Sequence, residues 1–171
     1  MPVTAEMDRS PSLLRRVTVA YAAYTVVMLE IERRLRQTGG PGIIRFELAG
    51  NADESAEMMA RWGSRGRRLA RVSLWLDFGY MLTYGAHTAL LVDRARCRLG
   101  HSSALPLLAA TAVAGDAIEG VSLLKVLGGK QTDIHARRAR RAALVKFAVL
   151  AVCLAYAAVG HRKPPRTTEP G

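Results

Sequence analysis

The chain has 171 residues, half of them hydrophobic, and carries 25 basic against 14 acidic side chains for a net charge of +11. That length gives one domain, because two would each have little core to bury. The apolar fraction excludes disorder throughout, and a pair of cysteines, Cys97 and Cys153, excludes a disulfide scaffold. A mean hydropathy of +0.08 fits either a basic soluble protein or a membrane protein with charged loops. The distribution of the apolar residues decides between them.

Charges come in blocks, and four apolar runs lie between the blocks. The first, VTVAYAAYTVVMLEI from Val17 to Ile31, is bounded by Arg15-Arg16 and Arg33-Arg34, whose long stems reach the headgroups and extend a short apolar core to a span over 14–35. Ala20-Tyr21-Ala22 has the form of a signal-peptidase site but lies where no apolar stretch precedes it, so an uncleaved span is expected. Gly39-Gly40-Pro41-Gly42 then ends the helix. Asn51 caps a short interfacial helix over 52–63, with Met58, Met59 and Trp62 toward the bilayer surface and Asp53, Glu54 and Arg61 toward water. Gly63 and Gly66 allow a bend before the second run, VSLWLDFGYMLTYGAHTALLV, which predicts a span over 69–93. The third run, rich in Ala and Leu, predicts a span over 103–128, and the fourth, AALVKFAVLAVCLAYAAVG, one over 142–160. The proline-rich segment 162–171 reads as a disordered tail.

A soluble four-helix bundle needs a charged face on each helix. Run four carries only Lys146, and run one only Glu30 near its end. The expectation is therefore an all-α polytopic membrane protein. Four transmembrane helices form a bundle with one short interfacial helix, a single domain over 1–161 in a cell membrane. Nine basic residues fall on the side of the termini, and the remaining 16 of 25 belong to the other side. The positive-inside rule thus gives a weak preference for loops 36–68 and 129–141 in the cytoplasm. Arg137, Arg138, Arg140 and Arg141 form the densest cluster, where anionic lipid headgroups are a nearer partner than nucleic acid. Homo-oligomerisation stays open.

Ionisable residues at membrane depth cost roughly 3 kcal/mol each on insertion scales, so each needs a partner, water or a purpose. By helical rise Asp77 lies about 7 Å into run two, Glu119 about 12 Å from the end of run three and Lys146 about 6 Å into run four. Asp116 falls near the midplane and Glu30 near the end of run one. With four spans these residues gather in one leaflet. Ser73, Asp77, Tyr80, Tyr84, His87 and Thr88 share one face of run two, within an arc of roughly 100 degrees. Asp116 and Glu119 stand at i and i+3 among Ala112, Gly115 and Gly120, small residues that admit a neighbouring helix. The candidate interior thus contains Asp77, Asp116 and Glu119 as possible reactive acids, with Lys146, Tyr80, Tyr84, His87 and Glu30 around them.

Three readings fit that interior. The first needs no chemistry: a hydrogen-bonded network fixes helix packing, and Lys146 neutralises Glu119 or Asp77. In the second, a small proton-coupled carrier uses the repulsion between Asp116 and Glu119 to hold and release a proton. In the third, a membrane-embedded enzyme uses a protonated Asp116 or Glu119 on a lipophilic substrate, with Asp77 as counterpart. No metal or cofactor is expected: of His87, His101, His135 and His161 only His87 lies within a span, and no C-x-x-C, nucleotide-binding or hydrolase motif occurs.

Phe46-Glu47-Leu48-Ala49-Gly50, Trp62-Gly63, Leu76-Asp77-Phe78 with Tyr84, and Gly115-Asp116-Ala117-Ile118-Glu119 carry a resemblance. From run one to run four the chain resembles a family of uncharacterised bacterial four-helix integral membrane proteins with FELAG, LDF…Y and GD-x-x-E elements. The resemblance implies the helical membrane fold and no particular activity. Where that family tends to have Asn after the glutamate, this chain has Gly120, which removes an amide able to orient Glu119.

Overall fold

A computed structural model describes residues 3–162, with side chains from Ser12 onward. Every regular element among them is a helix: α1 (Val3–Arg36), α2 (Ile43–Glu47), α3 (Ala52–Leu99), α4 (Leu107–Leu127) and α5 (Thr132–Arg162). Three stretches are long and apolar enough to cross a membrane: Ser12–Arg36, Leu107–Leu127 and Thr132–Arg162. The second expected span lies inside α3 and is not one of the three; Asp77, His87 and the tyrosines dilute its hydropathy. The tail expected over 162–171 falls outside the described residues beyond Arg162.

Helix ends follow local chemistry. Asn51 accepts a hydrogen bond from the Glu54 amide at 2.8 Å and starts α3, with Asp53 and Glu54 favourably placed in its first turn. Gly100, at φ +72°, closes the same helix in the left-handed conformation. Several boundaries differ from expectation: α1 begins at Val3 rather than 14 and α3 runs on to Leu99 rather than 93. α4 begins at Leu107, after a turn over residues 103–106, because Pro106 supplies a preset φ at its start. α5 begins at Thr132 rather than at 142, so the arginine cluster occupies the first turns of a helix and not a loop. Nothing between 132 and 160 breaks a helix, and an Asp133–Arg137 pair one turn apart supports the start.

The short helix expected over 52–63 exists as the first arm of α3, set off by a kink at Gly63 (φ +60°, ψ −164°). Its apolar side, however, serves the protein interior rather than a bilayer surface. Trp62 is 2% exposed, packs on Phe46 with ring centroids 4.9 Å apart, and donates from Nε1 to the Pro41 carbonyl at 2.7 Å. Met58 and Met59 pack against the same core. The connection 37–51 folds back to provide that partner, which no periodicity within the arm reports.

α3 packs against α1, α4 and α5, and α4 packs along α5. The apolar core sits at one end, where α1 finishes, α3 begins, α4 finishes and α5 begins. Leu35, Phe46, Trp62, Leu74, Leu123 and Val126 make its centre, with Ala136 and Ala139. Elsewhere the burial pattern is inverted relative to a water-soluble protein. Glu47, Asp116, Glu119 and Lys146 are buried, while Val19, Val26, Trp75, Leu82, Val152 and Val159 are more than half exposed. Exposed apolar surface on this scale marks contact with lipid or with another protein.

The φ/ψ pair at Gly63 lies in a region that residues with a Cβ populate at a cost of about 1–3 kcal/mol. No atom would crowd a Cβ there, so Gly63→Ala isolates backbone strain. It should lower the thermal midpoint in detergent or straighten α3, the latter read as a longer spin-label distance between residues 54 and 75.

Candidate functional site

About 10 Å further along the helices from the apolar core, by the helical rise, lies a layer of charge. Lys146 of α5 is 6% exposed, and its Nζ stands 2.8 Å from Asp116 Oδ1 and 2.8 Å from Glu119 Oε2, both on α4. The contact to Glu119 is an ion pair whose angles do not make a hydrogen bond. Tyr84 of α3 donates its hydroxyl to the other Asp116 oxygen at 2.6 Å. One lysine and one aspartate therefore tie α3, α4 and α5 together. Small buried residues line the contact of α4 with α5, Ala112 on one side and Ala143 on the other, and Gly115 faces Ala142 and Lys146 with room for no more than a methyl group. Gly120, read above as the loss of an orienting amide, has a packing role instead: the Phe78 ring of α3 fills the space beside it.

Glu47 completes the layer. It projects from α2, is buried, and places Oε2 3.8 Å from Lys146 Nζ. Burial raises its carboxyl above the usual range, against the pull of Lys146. Sequence reasoning treated the Phe46–Gly50 element as a connection and missed this residue. The available signal was a short apolar stretch, Ile43-Ile44 and Phe46, inside an otherwise polar loop. α2 is pinned from the α1 side by Glu32, which accepts from the Ile43 amide at 2.8 Å while pairing with Arg36 at 2.7 Å. On the other side the Arg140 side chain lies over Gly50, whose φ of +77° favours glycine.

The polar stripe of α3 divides between two neighbours. Tyr84 turns to α4, as above. Tyr80 and His87 meet α1: Thr25 and Tyr80 share a hydrogen bond at 3.1 Å, Thr18 and His87 one at 3.2 Å, and the Tyr21 ring lies 5.7 Å from Tyr80 and 5.2 Å from His87. Tyr24 donates to the Leu76 carbonyl at 3.0 Å. Asp77 is half-buried and adjoins the Asp116 carboxyl, under the influence of the same lysine. Glu30 does not join the interior. It pairs with Arg33 and Arg34 on its own helix, at the surface, because it lies two residues off the face that Glu32 occupies.

A cavity of about 410 Å³ lies against this layer, with Asp77, Asp116, Glu47 and Lys146 in its wall and Tyr80, Tyr84 and His87 beside them. Its volume falls in the range of small-molecule sites. Among the described residues no group of three or more His, Cys, Asp or Glu has the geometry to hold a metal ion. Cys153 is buried and Cys97 exposed.

Removing Lys146 alone leaves three carboxyls facing one another. Lys146→Met should cost about 3 kcal/mol of stability, seen as a lower unfolding midpoint in detergent. The combined variant Lys146→Met, Asp116→Asn, Glu119→Gln should recover most of that loss, since the desolvation of the charges disappears with the charges. Equal losses in both variants would contradict a shared ion network. Comparison of the chain with protein-family models, curated proteins and solved structures finds no match.

Proposed function

We propose that this chain is a four-span integral membrane protein of a bacterial inner membrane, in which the Lys146-centred ion network holds the helices of a bundle in register. One observation carries the reading: four buried ionisable groups from three helices converge on one point, inside a surface of exposed Val, Leu and Trp. Lipid around the helices accounts for both halves of that inversion, since it solvates apolar side chains and drives charges toward one another. The part of α3 after Gly63 is the fourth crossing in this reading. Its 36 residues rise roughly 54 Å, more than the bilayer core requires, and its polar stripe is covered by α1 and α4. The likeness to the four-helix family agrees with this topology.

Arg137, Arg138, Arg140 and Arg141 are exposed at the start of α5, beside Ile134. They suit anionic headgroups on the cytoplasmic side, with segments 36–68 and 129–141, largely helical, toward the cytoplasm. The cavity beside Asp77 and Asp116, of small-molecule size, supports the alternative reading, a small proton-coupled carrier or a membrane-embedded enzyme using a buried carboxylate on a lipophilic substrate.

Cysteine labelling separates four crossings from three. In a Cys97→Ser, Cys153→Ser background, Ser12→Cys and Ser103→Cys should react with a membrane-impermeant maleimide from the same side, and Gln131→Cys from the opposite side. If only α1, α4 and α5 cross, Ser12→Cys and Ser103→Cys label from opposite sides.

A further inference from the structure

The cavity has an apolar flank as well as a charged end. α1 packs on α3 rather than on α5, and the cavity occupies the space between them. Its outer wall is made by Leu29 of α1 and Phe147, Leu150 and Leu154 of α5. Leu29 is 61%, Phe147 40% and Leu154 50% exposed, so the wall opens sideways rather than along the helices. The other end is closed by α2, where Phe46 and Trp62 seal the apolar core. Access from the bilayer is therefore open, and access from the end that holds the core is shut.

Charge in the cavity is unbalanced. Lys146 is the only lysine or arginine that lines it among the described residues. That one cation is shared by Asp116, Glu119 and Glu47, and Asp77 adds a further carboxyl against Asp116. Glu32, also in the wall, has Arg36 as its own partner. Acids thus outnumber cations around one space, and in low dielectric each carboxyl beyond those that Lys146 satisfies either keeps its proton or gives it up to a further cation. The faces and edges of Tyr21, Tyr80, Tyr84 and Phe147 surround the same space, the side-chain chemistry that holds organic ammonium groups. Lys146 itself already lies 4.8 Å from the centre of the Phe147 ring.

We infer that the cavity binds a lipophilic cation, an organic ammonium bearing an apolar tail, admitted from the bilayer between α1 and α5. The ammonium group sits at Asp77 and Asp116 among the tyrosines, and the tail lies along Leu150 and Leu154. An anionic amphiphile finds one lysine already shared by three acids, and a neutral one gains nothing from the acids beyond that lysine's reach. This inference rests on the membrane reading above and names the ligand class for the cavity.

The test uses the full-length chain in lipid nanodiscs and three probes sharing one tail: octyltrimethylammonium, octanol and octyl sulfate. Saturable binding above that of protein-free discs is expected for the first alone. Asp77 bears on the ligand without belonging to the Lys146 ion pairs, so Asp77→Asn should still fold, with unchanged helical circular dichroism, and bind octyltrimethylammonium at least tenfold more weakly. Leu150→Trp fills the tail region without altering charge and should abolish saturable binding. Octanol binding as tightly as the cation, unchanged affinity in Asp77→Asn, or binding that persists in Leu150→Trp each overturns the inference. A chain that gives the four-span labelling pattern and binds no cation refutes this inference alone; one that binds but labels otherwise refutes only the topology.

Discussion

The ammonium of Lys146 is the interaction on which the arrangement depends. A lysine inside lipid is tolerable only when fully paired, and here Asp116 and Glu119 approach it to 2.8 Å while Glu47 stands at 3.8 Å. Because these partners come from separate elements, satisfying one charge positions three segments at once. The Tyr84 hydroxyl adds α3 through Asp116. Such a network contributes less to stability than its short distances imply, since desolvation offsets much of the attraction. Its stronger effect is on register: sliding α4 one turn along α5 would strand both acids.

The five residues of α2 solve a second problem. A charged layer near the end of a helix group would draw water from the adjacent aqueous phase. Phe46 and Trp62, with Leu35 and Leu74, place an apolar plug there, while Glu47, the next residue along from Phe46, faces the charge. One short helix therefore contributes to both the seal and the site. The kink at Gly63 follows from the same need, because it lets the first arm of α3 lie across the helix ends and bring Trp62 onto Phe46.

The amino-acid order by itself determined the elements. Runs without a water-facing side specify long apolar helices, three of them long enough to cross a membrane, Gly39 to Gly42 specify an end, and the spacing of Ser73 to Thr88 specifies one polar face on α3. These are local properties, set by 100 degrees and 1.5 Å per residue. That Lys146 would meet Glu119 was also legible, because unpaired charges at similar depth have few other solutions; that Asp116 rather than Asp77 would be its second partner was not.

Only the tertiary structure decided which acids completed the layer. Glu47 enters and Glu30 leaves, although Glu30 lies in an apolar run and Glu47 in a connection. Arginines one turn away satisfy Glu30 at the surface, whereas α2 is carried inward by contacts with Trp62 and Ile43 that span the loop. The apolar side of residues 52–62 likewise met a protein partner rather than lipid. Periodicity reports that a face is apolar or polar; what covers it depends on long-range docking, which no single helix encodes.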